Sequence, residues 1–392
     1  MEKRKPIDRL TESGLLIVAF FIPLWEAMIY VGILLVLIGW IYRLVKKKSK
    51  GSFRTPLDLP IIIFAIIGFI STFNSLIPKQ SLMAIPIFVV GIFLSYHLVL
   101  GNITDKKFLK KFILAMILGG TITACLGIFQ HLIWGVERSY ATLIHINTLA
   151  GYLTLMIPIV FSLLFYVPKR SEKILLTFSL ITMIICLIFT RSRSGWLALV
   201  GAMSFLVIIK KEKRLAIGLT LVIIVVVSFL IPSVNTRLRT VFDLIANKER
   251  ISLAKSALQM IKDHPLTGIG VNTFLYIYPQ YQSPEEGAPS KPQPHAHNVF
   301  LQIGAEMGLF AIIIFLWLLV RVFKIGWETL RRTKDDYLRA LVIGLLGSLI
   351  AFLISQEFDY MWSRPNLFIF FWILLAMFLA TRNIVLKNKG NS

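Results

Sequence analysis

The sequence predicts an all-α protein that spans a membrane about twelve times. Of its 392 residues, 56% are hydrophobic and only 16% are charged, whereas soluble domains carry roughly 25% charged residues. The apolar residues are grouped in segments close to the roughly 20 residues that cross a bilayer as a helix. We therefore expect one integral helical bundle rather than several domains.

Twelve apolar segments are candidate spans. They lie at 11–24, 27–43, 57–75, 81–100, 110–134, 147–167, 173–190, 194–210, 215–232, 298–320, 338–355 and 366–382. The first two are short and meet near Pro23 and Glu26, so joining them as one kinked helix gives an alternative count of eleven. Lys3, Arg4 and Lys5 precede an apolar stretch as in a signal peptide, but no small-residue cleavage site follows, and we interpret the stretch as a retained first helix.

The positions of the basic residues distinguish the two counts, because Lys and Arg concentrate in cytoplasmic loops. With twelve spans and a cytoplasmic N-terminus, the inner segments carry 30 of the 42 Lys and Arg residues. Eleven spans would put the basic residues of 3–9 and 46–48 on opposite sides of the membrane. We therefore expect twelve spans with both termini in the cytoplasm. The same distribution accounts for the net charge of +22, so we do not expect nucleic-acid binding.

The spans form one integral domain in three parts. Residues 1–232 hold spans one to nine, residues 233–297 form a long extracytoplasmic loop, and residues 298–392 hold spans ten to twelve and a cytoplasmic tail. In the loop, helical spacing predicts a short amphipathic helix over 248–263. Its apolar stripe consists of Ile251, Ala254, Leu258 and Ile261. Such a helix lies on the bundle or in the membrane interface.

A cluster of polar residues lies where the long loop returns to an apolar segment. It consists of His295, His297, Asn298, Gln302 and Glu306. Polar groups are costly at membrane depth, so such a cluster is a functional-site hypothesis. The last three recur every four residues and share a helix face, which must point into the bundle rather than to lipid. A stripe of hydrogen-bonded packing residues remains an alternative, and Gly304 and Gly308 permit close helix contact.

Arginine residues form a second group on the same side of the membrane. Arg191 and Arg193 lie among hydroxyls and a glycine in the turn between two spans, and Arg250 begins the loop helix. A guanidinium stays charged and binds phosphate oxygens with two hydrogen bonds, so the group suggests an anionic ligand in the membrane plane. The alternatives are that interfacial arginines anchor helices, that Arg250 is a solvated charge, and that Arg237 and Arg239 form the basic site.

Several motifs of common enzyme classes do not occur in the sequence. It has no Walker loop, no dinucleotide-binding glycine pattern, no Cys-x-x-Cys pair and no His-Glu-x-x-His helix. His295 and His297 with a third ligand could bind zinc, but their spacing matches no recognised metal site. We therefore expect neither a metal nor a cofactor. An imidazole titrates near neutrality, so His297 is a candidate base or hydrogen-bond donor. Cys125 and Cys186 lie in apolar spans and are interpreted as buried apolar residues.

Three motifs in these groups follow the patterns of one family. Thr190-Arg-Ser-Arg-Ser-Gly-Trp196 resembles a Ser-Arg-Gly-x-Trp helix start, with Ser194 where Gly is common. Arg250 with Asp263-His-Pro-Leu-Thr-Gly-Ile-Gly270 resembles an Arg…Asp-x-Pro-x-x-Gly-x-Gly stretch. His295-Ala-His-Asn298 with Glu306-Met-Gly308 resembles a His-x-His-Asn…Glu-x-Gly block, the most specific of the three. Together they resemble the O-antigen ligase and polymerase superfamily of bacterial envelope glycosyltransferases.

The resemblance implies an enzyme that moves a glycan from undecaprenyl pyrophosphate to an acceptor hydroxyl on the outer side of the bacterial cytoplasmic (inner) membrane. It also implies a multispan, GT-C-like fold that needs neither nucleotide nor metal, because pyrophosphate is already a good leaving group. By their motifs, Arg193 and Arg250 would hold the pyrophosphate and stabilise its growing charge, and His297 would activate the acceptor. Further substrate contacts are expected from Asn147, Arg191, His295, Asn298, Gln302 and Glu306.

The motifs do not identify the acceptor or the oligomeric state. We favour an O-antigen ligase, which transfers finished O-antigen to lipid A–core. A repeat-unit polymerase and a protein O-oligosaccharyltransferase share the lipid-linked donor and stay open as alternatives. A transporter or flippase for the same lipid-linked sugar is the alternative from a different class. The polar groups lie mainly at the outer boundary rather than at the midplane of the membrane lipids, which favours the enzyme.

Overall fold

The computed structural model is all-helical over the residues it describes, which confirms the predicted fold class. These residues are 6–46, 55–167, 169–209, 248–282, 295–360, 362 and 364–390. In this part of the chain, 8 helices are long and apolar enough to cross a membrane, and shorter apolar helices accompany them. The predicted span at 215–232, the Arg237 and Arg239 pair, and residues 283–294 lie outside the described residues.

The helices are numbered in chain order. Those before the long loop are α1 (Pro6–Phe21), α2 (Glu26–Val45), α3 (Asp58–Phe73), α4 (Pro78–Asn102), α5 (Lys106–Leu132), α6 (Ile146–Leu164), α7 (Arg170–Thr190) and α8 (Arg193–Ile209). Those that follow are α9 (Lys248–Asp263), α10 (Phe274–Tyr281), α11 (Val299–Met307), α12 (Leu309–Arg332), α13 (Asp336–Gln356) and α14 (Pro365–Gly390). Within the described residues, each predicted span except 298–320 coincides with one helix.

The first two helices form an antiparallel hairpin rather than one kinked helix. The chain reverses after Phe21, whose carbonyl accepts hydrogen bonds from the backbone N–H groups of Leu24 and Trp25, both at 3.0 Å. A Cβ atom on Gly32 would lie 2.7 Å from the carbonyl oxygen of Gly14, so the two backbones are in contact. The separation into two helices is what the twelve-span interpretation requires.

The helix ends gather in two layers, which we call the histidine end and the lysine end. The histidine end contains the α1–α2 turn, the α5–α6 loop, the α7–α8 turn and the segment before α14, where the side chain of Asn366 donates to the carbonyl of Ile22 at 3.1 Å. The lysine end contains the turns before α5 and α13, where Lys106 forms an ion pair with Asp335. Helices that alternate between these ends agree with the predicted alternation of basic loops.

The predicted span at 298–320 is wrong, because the chain breaks at Gly308. Gly308 has a φ of +86°, which a residue with a side chain rarely adopts. A Cβ atom there would also lie 2.4 Å from the carbonyl oxygen of Leu266. The short helix α11 therefore stands apart from the long span α12. An unbroken run of apolar residues gives no sign of this break, since it depends on contact with the end of the long loop.

The predicted helix at 248–263 is confirmed as α9, but of its predicted apolar stripe only Ile261 is buried. Ile251 and Leu258 are 40% and 48% exposed, and the face turned inward carries Leu253, Ala257 and Met260 instead. This face packs on α11 and α10, with which it shares a second apolar core. Small residues are needed there, because a Cβ atom on Gly304 of α11 would lie 2.7 Å from the side chain of Ile261.

Two glycines after α9 allow the loop to lie directly on α11 and α3. Gly268 has a φ of +67° and Gly270 a φ of +111°. Ile269 N donates to the carbonyl of Ala305 at 2.8 Å, and Gly270 N donates to that of Glu306 at 3.1 Å. A Cβ atom on Gly270 would lie 2.0 Å from Oγ of Ser75. The glycine-rich part of the second motif is thus explained by close backbone contact that holds α11 in place.

Candidate active site

The candidate site lies at the histidine end, where α11 begins beside the segment that connects α13 to α14. His295 and His297 precede α11, and Asp359 lies in the α13–α14 segment. Nδ1 of His297 is 3.3 Å from Oδ1 of Asp359. The two side chains are at ion-pair distance. Nδ1 of His297 has no hydrogen-bond partner among the described residues. An imidazole and a carboxylate are therefore paired at this end of the bundle.

The backbone of His297 is in the left-handed region, with a φ of +54°. This conformation is uncommon outside glycine, and strain of this kind concentrates at functional sites. It places the ring of His297 against that of His295, with centroids 4.2 Å apart and nearly perpendicular planes. The turn therefore brings two imidazoles together immediately before the helix.

Asp359 is only 4% exposed. Burial by itself would raise its pKa, but the contact with His297 and the charges of the two imidazoles lower the pKa of Asp359 to about 2. The carboxylate is therefore ionised throughout the physiological range. An ionised carboxylate in this place can accept a hydrogen bond from a ring N–H of the imidazole that it faces.

His295 is buried, and its ring also contacts that of Tyr360, with centroids 5.8 Å apart. Burial and, to a smaller extent, the charge of His297 lower the pKa of His295 to about 3. His295 is therefore neutral at physiological pH. The neutral imidazole acts as a packing and hydrogen-bonding group beside the His297–Asp359 pair.

The two histidines and Asp359 also satisfy the geometric condition for a metal site. One ligand atom from each of the three residues lies within 4.8 Å of the others. Nδ1 of His295, Nδ1 of His297 and Oδ2 of Asp359 have no hydrogen-bond partner among the described residues. However, the guanidinium of Arg250 acts electrostatically on Asp359, and that of Arg364 acts on His295. The positive charges of these two guanidinium groups disfavour the binding of a divalent cation and favour the binding of an anion.

The polar residues of α11 hold the surrounding backbone. The side chain of Asn298 caps the helix by accepting from the N–H groups of Phe300 and Leu301 at 2.9 and 3.0 Å, and its amide donates to the carboxylate of Glu357 at 2.8 Å. Oε1 of Gln302 accepts from the N–H of Ala296 at 2.7 Å. Asn298 thus fixes the start of the helix, and Gln302 fixes the backbone between the two histidines.

Glu306 is fully enclosed and accepts a hydrogen bond from the N–H of Phe274 at 3.2 Å. Burial raises the pKa of Glu306 to about 7, although bonds from the backbone of 272–274 and from Gln302 oppose this shift. Gln302 and Glu306 are 2% and 6% exposed, which confirms that the polar face points into the protein. Both residues therefore stabilise the backbone that surrounds the site.

A cavity of about 170 Å³ adjoins these residues. Gln302, Glu306, Asn272 and Tyr360 line its polar part. Its apolar part is lined mainly by Phe64, Ala84, Phe88, Trp362 and Phe368. Tyr360 also contacts His295, so one residue separates the cavity from the histidines. The site therefore has an apolar compartment between α3, α4 and α14.

The arginine turn lies at the same end of the bundle. Arg191 caps α7 with a φ of +50° and pairs with Glu137 at 2.8 Å. Oγ of Ser192 donates to Oδ1 of Asn147 at 3.2 Å, and Arg193 is half-buried at the start of α8. The predicted residues Arg191 and Arg193 therefore share one turn, and the predicted residue Asn147, at the start of α6, contacts this turn.

His145 connects this turn to the histidines. Its Nδ1 accepts from the N–H of Asn147 at 3.3 Å. Its ring lies within electrostatic range of Asp359, Arg364 and His297. Arg250, half-buried in the first turn of α9, lies within electrostatic range of Asp359 as well. Of the predicted arginines, Arg250 thus lies in range of Asp359, and His145 lies between Asp359 and the turn that carries Arg191 and Arg193.

Sequence reasoning missed Asp359, Arg364 and His145. The signal for Asp359 was an acidic residue in a short segment between two apolar spans, where a charge is unfavourable unless it is paired. Nothing near Asp359 in the sequence identifies its partner, since three helices, α11 to α13, lie between His297 and Asp359 in the chain.

Part of the chain is similar to known proteins. Residues 178–316 match the family model described as O-Antigen ligase. The teichuronic acid biosynthesis protein TuaE of Bacillus subtilis (strain 168) is 23% identical over 144 residues, which are 37% of this chain and 28% of that protein. The match thus spans little more than a quarter of this relative, and both comparisons support a function in glycan assembly. The stretch from α7 into α12 thus matches the O-antigen ligase family model, which confirms the resemblance based on the three motifs.

Proposed function

We propose that the protein is a glycosyltransferase that moves a glycan from undecaprenyl pyrophosphate to an acceptor hydroxyl. The observation that carries this proposal is the His297–Asp359 pair, with its 3.3 Å contact, in the electrostatic range of Arg250. Transfer from a pyrophosphate needs a base for the acceptor and cations for the leaving group. The reaction takes place at the histidine end, which faces the outside of the bacterial cytoplasmic (inner) membrane.

In this mechanism, His297 removes the proton of the acceptor hydroxyl. Its Nδ1 faces Asp359, so Nε2 is left to accept the proton, and the carboxylate stabilises the imidazolium that forms. The hydroxyl oxygen forms a bond to the anomeric carbon of the donor sugar, while the bond from this carbon to the pyrophosphate oxygen breaks with its electron pair. The proton on His297 then passes to water or to the released diphosphate.

Arg193 and Arg250 bind the pyrophosphate and neutralise the charge that grows on it as the bond breaks. A guanidinium offers two parallel donors to phosphate oxygens and stays charged. Both residues are half-buried, and partial exclusion of water strengthens such contacts. Arg191 is held by Glu137, so its role is to shape the turn and add positive potential.

The apolar cavity beside Tyr360 receives the first part of the polyprenyl chain. Its aromatic and aliphatic walls suit a branched hydrocarbon. Glu306 is mostly protonated below pH 7, so the polar wall carries little charge that would oppose a lipid. The polyprenyl chain then lies between α3, α4 and α14, while the pyrophosphate lies near Arg193 and Arg250.

We favour the ligase, which transfers finished O-antigen to lipid A–core, as the specific activity. A repeat-unit polymerase is the second candidate, because the relative named above is a protein of teichuronic acid biosynthesis and not of O-antigen. The two differ only in the acceptor. Lipid A–core and a second lipid-linked repeat unit, offered separately to the purified protein, distinguish them.

The test uses the purified full chain with a labelled glycan on undecaprenyl pyrophosphate and each acceptor in turn. We expect covalent product from the wild type and none from His297→Ala, with normal insertion and thermal stability. His264→Ala is the matched control and should keep full transfer. His264 follows the end of α9, away from the His297–Asp359 pair. Full transfer by His297→Ala would overturn the proposed base. Relocated donor without covalent product would instead identify a transporter.

A further inference from the structure

A crevice at the lysine end of the bundle is separate from the candidate active site. It has a volume of about 120 Å³ and lies between α5, the end of α6, α7 and the first turn of α13. Ile113, Ile117, Leu163, Val167 and Leu176 line its inner part. These walls are aliphatic, so the interior suits a hydrocarbon chain rather than a polar metabolite.

The mouth of the crevice is polar. Lys110, Glu172 and Tyr337 line it. Nζ of Lys110 lies 4.5 Å from the centroid of the Tyr337 ring, and Nζ of Lys106 lies 5.9 Å from the same centroid. Two ammonium groups thus share one aromatic ring, which holds them in place.

Positive charge exceeds negative charge around this mouth. Asp335 is already engaged by Lys106, which leaves Glu172 as the acidic residue that lines the crevice. Exposed basic residues surround it on the first turn of α5 and at the start of α7, namely Lys107, Lys169, Arg170 and Lys173. A ligand that enters here meets apolar walls inside and a net positive rim outside.

We propose that this crevice binds an anionic phospholipid of the surrounding bilayer, with one acyl chain between α5 and α7 and the phosphate at Lys110. Basic pockets between membrane helices on the cytoplasmic side bind anionic headgroups in this way. The aliphatic stem of lysine also follows an apolar wall while its ammonium stays at the polar surface. The site joins the consecutive helices α5, α6 and α7 to the distant α13, so the bound lipid stabilises their packing at the end opposite the chemistry.

The test measures lipids retained by the purified full chain in native mass spectrometry. Phosphatidylglycerol, phosphatidylethanolamine and phosphatidylcholine with identical acyl chains are supplied separately. We expect preferential retention of phosphatidylglycerol, and Lys110→Ala should reduce it by about fivefold, since one lysine near a membrane surface contributes on the order of that factor. Lys111→Ala is the matched control, because it removes the same charge from the same helix turn outside the crevice.

A second pair of variants tests the acyl chain. Val167→Phe fills the inner part of the crevice and should lower retention of phosphatidylglycerol, whereas Ile174→Phe on the exposed face of α7 should not. Equal retention of the three lipids by the wild type overturns the proposal, as does an equal effect of Lys110→Ala and Lys111→Ala. Better retention of phosphatidylethanolamine overturns the anionic assignment. If Lys110→Ala fails to fold, the wild-type comparison of the three lipids still decides.

Discussion

Nδ1 of His297 lies 3.3 Å from Oδ1 of Asp359, although α11, α12 and α13 separate the two residues in the chain. The contact joins the end of the long loop to the segment between the last two spans. It gives the imidazole a buried negative partner whose pKa is about 2. A carboxylate partner of this kind orients the ring, so the two residues are expected to act as one unit.

Asp359→Asn should reduce glycan transfer by about 100-fold or more, the order expected when general base catalysis is impaired. The amide keeps the size of the carboxylate but does not stabilise an imidazolium. The measurement is the initial rate of transfer by purified protein. Asp263→Asn, an exposed carboxylate-to-amide change at the end of α9, is the control and should retain the wild-type rate. A fully active Asp359→Asn would show that the pair has no part in the chemistry.

Arg193→Lys and Arg250→Lys should each lower kcat/KM for the lipid-linked donor by about tenfold or more, because a lysine cannot form the paired hydrogen bonds of a guanidinium. Both substitutions should lower kcat/KM for the pyrophosphate donor more than kcat/KM for the acceptor. Arg170→Lys, at the exposed start of α7 at the opposite end, is the matched control. If both site variants behave like this control, bidentate binding of the pyrophosphate is excluded.

The long spans could be predicted from sequence, because uninterrupted apolar runs between basic loops define α3 to α8, α13 and α14 within a few residues. The position of the histidine cluster could also be predicted, because polar groups next to lipid are unfavourable without a function. The break at Gly308 could not be predicted, since it depends on contact with Leu266. The buried face of α9 could not be predicted for a similar reason, since it depends on packing against α10 and α11.

The partner of Asp359 could not be predicted from the local sequence. Its partner is His297, and the electrostatic influence of Arg250 and Arg364 reaches the same place from two other segments. No spacing rule relates residues that three helices separate. The three motifs identified part of the site because each has its own local pattern, whereas Asp359 belongs to none of them.

Glu306→Gln should make the stability of the protein less sensitive to pH. Burial raises the pKa of Glu306 from 4.5 to about 7, so the folded state holds a proton that the unfolded chain releases. This contribution is complete below pH 4.5 and is lost as the pH rises through 7, with a slope of at most roughly 1.4 kcal/mol per pH unit.

The difference between wild type and Glu306→Gln isolates this group, because all other groups titrate alike in both. The thermal midpoint of the wild type should fall relative to that of the variant between about pH 5 and pH 8. Transfer near neutral pH should be nearly unchanged, since the amide oxygen still accepts from the N–H of Phe274. Parallel midpoints across the range would show that Glu306 is ionised in the folded protein.

Ala84→Phe should raise the KM for an undecaprenyl donor more than for a donor with a short prenyl chain. Ala84 is buried in the wall of the apolar cavity, and a ring there occupies the space proposed for the polyprenyl chain. Met83→Phe is the control, because Met83 is exposed on the same helix. An equal change of KM for both donors would place the chain elsewhere.

Transfer should continue in the presence of a chelator. His295, His297 and Asp359 have the geometry to hold a metal ion, so a site of this kind is a real alternative to the proposed acid–base pair. The field of Arg250 and Arg364 opposes a divalent ion and favours the pyrophosphate. We therefore expect purified protein to contain less than stoichiometric zinc by elemental analysis and to keep its rate after dialysis against EDTA. A rate that falls with EDTA and returns with zinc, together with zinc binding that Asp359→Ala abolishes, would make these three residues a metal centre and turn His297 from a base into a ligand.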